Sequence, residues 1–290
     1  WKYLSVILIS FLGGSFLGSI PLVIVMAITG AGDMTDLAAV GISKNWNLFL
    51  MILPFISILF FAILLIKALH NRTLSETVNG TRKIRFGRIG VGAAVWAILM
   101  TIYLAVDYCF DPENFVLQLD WGKFIVLIIL ALCLIPLQTT AEELLLRGYL
   151  AQGIAAWTKS RWLAILVPSL LFGLLHFANP EVKEFGFWLA MPQYILFGLL
   201  FGLVAILDDG IELAIGMHAA NNAFLATFVT FSASALQTDA LFEILQINPV
   251  KELVVLIVLG FIALTYFAYR YKWNFGVLNQ KVVNEQPLAD

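Results

Sequence analysis

Two adjacent glutamates, Glu142 and Glu143, lie in the middle of a long apolar run, and Arg147 follows one helical turn later. Placing an ionisable side chain at mid-bilayer depth costs from about 2.5 kcal/mol upward, so such residues normally face a protein interior or a wet cavity. Two of the three histidines, His176 and His218, also fall inside apolar segments. Carboxylates and imidazoles are the side chains that most often transfer protons in enzymes. These residues therefore predict an active site within the membrane.

Helical spacing predicts different roles for the two glutamates. Residues four apart share a face of a helix, whereas adjacent residues diverge by about 100°. Glu143 and Arg147 are therefore predicted to form an ion pair. Glu142 is left to meet a substrate, a water molecule or a metal ion. The alternative is a structural salt-bridge network between helices that includes both glutamates and the arginine.

The histidines belong to two further motifs. His176 ends a segment that begins at Phe172, and a single histidine near a membrane boundary is equally consistent with a structural role. His218 and Asn222 form a stronger pair, because i,i+4 spacing puts an imidazole and a carboxamide on one face of a helix. The adjacent Asn221 diverges from that face and is expected to donate a hydrogen bond to another helix.

Two mechanisms of peptide hydrolysis fit this set. In the first, Glu142, His176 and His218 bind Zn²⁺ and leave one position open for water. In the second, Glu142 and His176 activate water directly, while two donors hold the oxyanion. Those donors are His218 and Asn222. The sequence lacks the HExxH and GxSxG signatures, and its two cysteines have no metal-ligand spacing.

The composition indicates a polytopic helical membrane protein. Of the 290 residues, 61% are hydrophobic and 12% are charged. Soluble domains are typically about 45–50% apolar and about 25% charged. The net charge is -2 and the basic residues form no large patch, which argues against a nucleic-acid partner.

Eight segments are long and apolar enough to be predicted as transmembrane helices. They are 4–28, 47–69, 90–106, 124–148, 162–178, 187–207, 213–231 and 253–269. At about 1.5 Å per residue, the candidate residues lie within one to two helical turns of the same depth. The sequence therefore predicts one all-α domain over 1–272 around an interior polar cavity, followed by a polar cytoplasmic tail over 273–290. GxxxG spacing at 14–18 and 198–202 predicts close helix contacts.

The distribution of lysine and arginine predicts the orientation in the bilayer. Cytoplasmic loops carry an excess of these residues. Twelve of them fall on one side of the predicted spans and four on the other, with Arg147 left inside the membrane. Both termini are therefore expected to be cytoplasmic.

Taken together, the three motifs resemble those of the CPBP family of CAAX-protease and bacteriocin-processing intramembrane proteases, also called Abi proteins. That family carries EExxxR, FxxxH and HxxxN motifs. In this sequence they are Glu142-Glu143-x3-Arg147, Phe172-x3-His176 and His218-x3-Asn222. They occur in the same order, with the same spacing and in separate predicted helices. The resemblance covers about residues 124–231.

The resemblance implies an eight-helix membrane fold with an endopeptidase site in an interior cavity that opens toward the cytoplasm. It also implies a role for seven positions: as catalytic residues Glu142, Glu143, His176, His218 and Asn222, and as supporting residues Arg147 and Phe172. By this analogy Glu142 activates water with His176, while Glu143 and Arg147 orient the site. The resemblance leaves the need for Zn²⁺ open.

The sequence does not fix the substrate class, and two functions other than proteolysis also fit it: a regulatory scaffold and a transporter. The chain is compact and shows no eukaryotic sorting signal, which favours a prokaryotic plasma membrane. Because bacteria generally lack prenylated CAAX proteins, we expect a different peptide or membrane-protein substrate. A catalytically inactive member would instead act as a regulatory or immunity scaffold. A proton-coupled transporter would use the buried residues as a relay, but the sequence shows no internal repeat.

Overall fold

The computed structural model describes residues 1–35, 37–81 and 83–282 and is built almost entirely of helices. In this part of the chain the helices are α1 (Lys2–Thr29), α2 (Lys44–His70), α3 (Leu74–Asn79), α4 (Phe86–Phe110), α5 (Trp121–Thr158), α6 (Arg161–Leu175), α7 (Pro180–Phe185), α8 (Phe187–Leu207), α9 (Glu212–Phe228) and α10 (Pro249–Tyr271). The predicted all-α polytopic class is confirmed.

Six of the described helices are long and apolar enough to cross a membrane, namely α1, α2, α4, α5, α8 and α10. Two of the eight predicted spans, 162–178 and 213–231, correspond to helices shorter than the roughly 20 residues that cross a bilayer. Helix α6 has 15 residues because it ends just before His176, and α9 has 17 residues. Helix α9 is also less apolar, because it carries His218, Asn221 and Asn222. The site residues themselves therefore weaken the membrane signal of these helices.

Helix α9 is the central helix of the bundle and is buried along most of its length. It packs against α4 and α5. Two glycines allow the close approach to α4: a methyl group at Gly92 would meet the backbone of Leu213, and one at Gly216 would meet the backbone of Ile89. The HxxxN motif is thus carried by the helix that is most firmly held by its neighbours.

The GxxxG glycines lie at close helix contacts, as predicted. A methyl group at Gly14 on α1 would come within 2.7 Å of the Ile58 Cα on α2. One at Gly198 on α8 would come within 2.8 Å of the Ser169 Cα on α6. Small residues let helix backbones approach each other in membrane proteins. The second contact brings the backbone of α8 toward the glutamate motif.

Helix α5 changes its winding directly after the two glutamates. Residues Leu144–Leu150 form a π-helical stretch between two α-helical parts. The span predicted over 124–148 lies within this helix, which continues to Thr158, but the change of winding was not predicted. Single π-helical turns interrupt α-helices frequently at functional sites.

A small sheet that the sequence analysis did not predict joins two loops at one end of the bundle. Its strands are β1 (Phe115–Leu117), β2 (Val229–Thr230) and β3 (Phe242–Ile244), in the order β1-β3-β2. Strand β3 pairs antiparallel with β1 and parallel with β2. Strands of two or three residues are too short to show an alternating pattern.

The segment after α10 packs back on the bundle. Residues Phe275–Asn279 form a 3₁₀ turn in which Leu278 is buried against α6 and α8. The Trp162 indole donates a hydrogen bond to Asn279 Oδ1 at 2.9 Å. The predicted tail over 273–290 thus begins with a packed segment, and its residues 283–290 lie outside the described residues.

Candidate active site

The predicted ion pair between Glu143 and Arg147 is confirmed. Nη1 of Arg147 lies 2.8 Å from Oε1 of Glu143, and the two side chains are 1% and 0% exposed. Nη2 of Arg147 donates to the carbonyl of Gly198 at 3.3 Å. The guanidinium also lies over the rings of Phe172 and Phe201, at 4.6 and 5.8 Å from their centroids. Arg147 therefore both neutralises Glu143 and fixes its position.

His218 lies between the two glutamates. Its Nδ1 is 2.9 Å from Oε1 of Glu143, and because an ionised carboxylate only accepts hydrogen bonds, Nδ1 is the donor. Its Nε2 faces Oε2 of Glu142 at 3.5 Å, which is longer than a hydrogen bond. The imidazole stacks on Phe201, with ring centroids 4.9 Å apart. One ring nitrogen of His218 is thus occupied and the other is open to Glu142.

Glu142 keeps an unpaired oxygen beside this imidazole. Gln138 donates to Oε1 of Glu142 at 3.4 Å, from one helical turn earlier. Oε2 is buried and has no hydrogen-bond partner among the described residues. The Glu142 side chain is 12% exposed, whereas that of Glu143 is sealed. Oε2 of Glu143 is likewise buried without a hydrogen-bond partner among the described residues, so it is the exposure of the Glu142 side chain that makes it the glutamate a water molecule can reach.

His176 lies beside the same group, across the ring of Phe172. It caps the C-terminal end of α6, and its Nδ1 lies 2.7 Å from the carbonyl oxygen of Phe172. Since a carbonyl only accepts, Nδ1 donates, and Nε2 of the neutral ring carries a free lone pair. Phe172 contacts both imidazoles, at 4.6 Å from His176 and 5.7 Å from His218. No hydrogen bond joins His176 to Glu142 among the described residues.

Asn222 is oriented by its neighbour in the chain. Its Oδ1 accepts a hydrogen bond from Nδ2 of Asn221 at 3.0 Å. Asn221 forms the expected bond between helices, but it accepts from the Trp96 indole at 3.1 Å instead of donating. The expectation of a donor was wrong because a buried indole on α4 can only donate.

The structure adds site neighbours that the sequence analysis missed. They are Gln138, Tyr194 and Phe201, together with the indole of Trp96. Tyr194 stacks on His176 with centroids 4.4 Å apart and planes 22° apart. Aromatic residues inside an apolar span give no signal that separates them from ordinary packing residues. Gln138 could have been recognised from the sequence as a site neighbour, because it is a polar residue four positions before Glu142 in an apolar run.

The predicted zinc set of Glu142, His176 and His218 stays a prediction. Among residues 1–35, 37–81 and 83–282, no group of three or more His, Cys, Asp or Glu side chains is arranged to hold a metal ion. Nδ1 of His176 donates to the carbonyl of Phe172, and Nδ1 of His218 donates to Glu143, an arrangement also typical of metal-binding histidines that leaves Nε2 of both rings without a hydrogen bond. Nε2 of His218 faces Glu142 directly. The mechanism is derived from the protein's own side chains.

Ionisable side chains enclosed in an all-α bundle with several apolar spans define a polytopic membrane protein with an interior polar site. Comparison with known proteins then shows that residues 121–224 match the model of the family described as type II CAAX prenyl endopeptidase Rce1-like. These residues contain all three motifs, so the resemblance seen in the sequence is confirmed. The match to a family described as an endopeptidase supports protease activity at the level of the family.

A curated relative and the solved structures add little about activity. The chain is 34% identical over 191 residues to YyaK of Bacillus subtilis, which is described as an uncharacterized protein. The aligned part covers 65% of this chain and 64% of that relative. No solved structure matches the chain.

Proposed function

We propose that the protein is an intramembrane endopeptidase that hydrolyses a peptide bond of a peptide or a membrane-associated protein. The observation that carries this proposal is the buried Oε2 of Glu142, which has no hydrogen-bond partner among the described residues and faces Nε2 of His218 inside the helix bundle. Leaving a buried carboxylate oxygen without a hydrogen bond is costly, so such an atom needs an explanation, and a functional role is one. The match of residues 121–224 to a protease family supports the same reaction.

Water activation is assigned to Glu142 and His176. The Glu142 carboxylate takes one proton from a water molecule, and Nε2 of His176 accepts a hydrogen bond from the same water. The resulting hydroxide attacks the carbonyl carbon of the scissile bond, and the carbonyl π electrons move to oxygen. General-base help of this kind contributes about 10²–10⁴-fold in rate.

Stabilisation of the oxyanion is assigned to His218 and Asn222. Nδ1 of His218 already donates to Glu143, so a second donation from Nε2 requires the imidazolium. Nδ2 of Asn222 supplies the second donor. Glu142 then returns its proton to the leaving amine, and the products are a carboxylic acid and an amine.

The location and the substrate class belong to the same proposal. We place the protein in a prokaryotic plasma membrane with both termini in the cytoplasm, which the excess of Lys and Arg on one side supports. A Bacillus relative is consistent with a bacterial source. We assign a peptide or membrane-protein substrate rather than a prenylated CAAX protein.

The test is cleavage of a peptide library by purified protein in detergent, read by mass spectrometry. Glu142→Gln and His176→Ala are expected to abolish the cleavage products, whereas Glu113→Gln, at an exposed position, leaves them unchanged. Identical profiles for the wild type and both site variants contradict the proposal. A parallel incubation with a chelator separates the two chemistries: loss of cleavage that added Zn²⁺ restores favours the zinc set.

A further inference from the structure

We infer that Trp96 and Asn221 form a relay that holds the Asn222 carboxamide in the orientation of an oxyanion donor. The inference rests on the proposed function, since it concerns the same oxyanion. Neither Trp96 nor Asn221 belongs to the three motifs. Both are buried, with 1% and 6% of their surface exposed, and they join α4 to α9.

The direction of the relay is set at Trp96. An indole N–H donates and never accepts, so the atom of Asn221 that lies 3.1 Å from Nε1 of Trp96 must be the amide oxygen. The NH₂ group of Asn221 therefore points the other way. It donates to Oδ1 of Asn222 at 3.0 Å.

The consequence at Asn222 follows from the same rule. Its oxygen is occupied by Asn221, so its NH₂ group is turned away from the relay. That NH₂ group has no hydrogen-bond partner among the described residues, and Asn222 is half-buried one helical turn after His218. The relay thus leaves both N–H groups of the Asn222 carboxamide without an acceptor, on the face of α9 that also carries His218.

The orientation matters because an asparagine amide has a donor end and an acceptor end of nearly equal shape. A 180° rotation about the Cβ–Cγ bond exchanges them. The rotated amide would present its oxygen to the oxyanion, so that attraction becomes repulsion. A donor placed before the reaction begins is worth far more than one that must reorient during it.

Asn221→Asp tests the relay with a small change in shape. The new carboxylate still accepts from Trp96 but can no longer donate to Asn222, whose NH₂ group is then drawn toward it. We expect kcat to fall by about tenfold to a hundredfold with KM unchanged, because one oxyanion donor is misdirected. Trp96→Phe keeps an aromatic ring in the same space and removes the donor, and a smaller fall in kcat is expected. Thr227→Val is the matched control, since it removes a buried hydrogen bond from Thr227 to Ala223 within α9.

A double-mutant cycle separates positioning from a merely structural role. If Asn221 acts through Asn222, Asn221→Asp causes no further loss of kcat in an Asn222→Ala background. Multiplied losses in the double variant contradict the relay. Equal kcat values for wild type, Asn221→Asp and Trp96→Phe contradict it as well.

A second measurement does not depend on turnover. In protein labelled with ¹⁵N at asparagine, the side-chain NH₂ signals of Asn222 are expected to shift in Asn221→Asp and in Trp96→Phe, but not in Thr227→Val. If the wild type cleaves no peptide, the proposed function fails while this result still decides the relay. Unchanged Asn222 signals in both relay variants overturn the inference.

Discussion

Glu142 and Glu143 are neighbours in the chain, yet their surroundings differ as much as those of two unrelated residues. Glu143 is sealed and bonded to both Arg147 and His218. Glu142 faces the same imidazole without a hydrogen bond and is 12% exposed, although each carboxylate keeps one oxygen without a hydrogen-bond partner among the described residues. A buried ion pair is tolerated only when both charges stay paired, so Glu143 serves the site through Arg147.

Glu143→Gln should damage both stability and activity. It leaves Arg147 as a buried cation without a counter-charge, and breaking such a pair typically costs about 3–5 kcal/mol. It also weakens the bond that holds Nδ1 of His218. We expect a clearly lower thermal unfolding temperature in detergent than for the wild type. Glu142→Gln should show no such loss, and equal unfolding temperatures for the two variants would count against the division of roles.

Tyr194 should affect catalysis through its ring rather than its hydroxyl. The ring stacks on His176, while the hydroxyl accepts from Asn179 at 3.1 Å and interacts with the Glu181 carboxyl on α7. Aromatic pairs contribute about 0.5–1.5 kcal/mol, which corresponds to about twofold to tenfold in rate. Tyr194→Leu is therefore expected to slow cleavage by that factor, and Tyr194→Phe to leave it nearly unchanged. A larger loss in Tyr194→Phe would contradict this assignment.

Residue spacing predicted only the local part of the site. Glu143 and Arg147 are four residues apart on one helix, so their meeting follows from helix geometry. That His218 would lie between the two glutamates could not be read from spacing, because it is 75 residues from Glu143. Phe172 contacts both histidines because its ring on α6 also meets His218 on α9, a contact that no local pattern encodes.

At the scale of helices, the contact between α6 and α8 brings distant parts of the chain to the site. Gly198 lets the two backbones approach, and its carbonyl then receives a hydrogen bond from Arg147. Helix α6 ends at His176, and α8 carries Tyr194 and Phe201. This contact therefore holds both the ion pair and the aromatic surroundings of the histidines.

Gly198→Ala is expected to lower stability and activity together. The added methyl group meets backbone atoms of Ser169, which cannot move aside cheaply, and overpacking of this kind typically costs about 1–3 kcal/mol. Gly90→Ala on α4 is the matched control, because nothing lies within 4 Å of a methyl group there. Thermal unfolding of both variants measures the difference. Equal destabilisation by the two substitutions would refute the role of the close contact.

Helix α7 offers a pH-dependent test outside the membrane spans. Oε1 of Glu181 accepts a hydrogen bond from the backbone of Ala235 at 2.7 Å, which ties α7 to the segment after β2. Burial raises the pKa of the Glu181 carboxyl above its ordinary value of 4.5, although the backbone bond from Ala235 opposes this. The folded protein therefore binds this proton more tightly than the unfolded chain does. Stability should fall as the pH rises through the folded pKa.

The corresponding variant is Glu181→Gln, which accepts the same bond and never ionises. The unfolding temperature of the wild type, measured relative to this variant, is expected to decrease as the pH rises above about 4.5. Glu184→Gln on the same helix serves as the control and should track the wild type. A relative stability that increases with pH would show that the sign is wrong.

Sequence patterns predicted the long helices well and the irregular elements poorly. Runs of apolar residues mark α1, α2, α4, α5, α8 and α10 because the bilayer demands length and hydropathy. The π-helical stretch Leu144–Leu150 has no signature of its own, since its residues also fit an α-helix. The three short strands depend on pairing between loops far apart in the chain.

For the molecule as a whole, the three motifs fall inside residues 121–224, the part that matches the model of the protease family. The surrounding helices close the site: α4 packs on α9, and α2 packs on α5. The overall class followed from composition, because few soluble proteins are 61% hydrophobic. How the flanking helices pack around the core could not be inferred, since every apolar helix can in principle face lipid.

The orientation of the molecule can be tested by cysteine labelling. In a background in which Cys109 and Cys133 are replaced by serine, Lys272→Cys is expected to react only with a reagent that reaches the cytoplasm. Lys183→Cys should react with an impermeant reagent added outside. This follows from the excess of Lys and Arg on the side of Lys272. The reverse labelling pattern would contradict cytoplasmic termini.

The most direct test of the account is the cleavage rate of Glu142→Gln relative to wild type, in lipid vesicles and with a peptide that the wild type cleaves. Loss of the general base predicts a fall in kcat of at least about 10²-fold. Binding of the peptide and the thermal unfolding temperature should stay unchanged, as should the rate of the exposed control Glu113→Gln. Cleavage by Glu142→Gln at the wild-type rate would contradict the central claim that Glu142 activates the water.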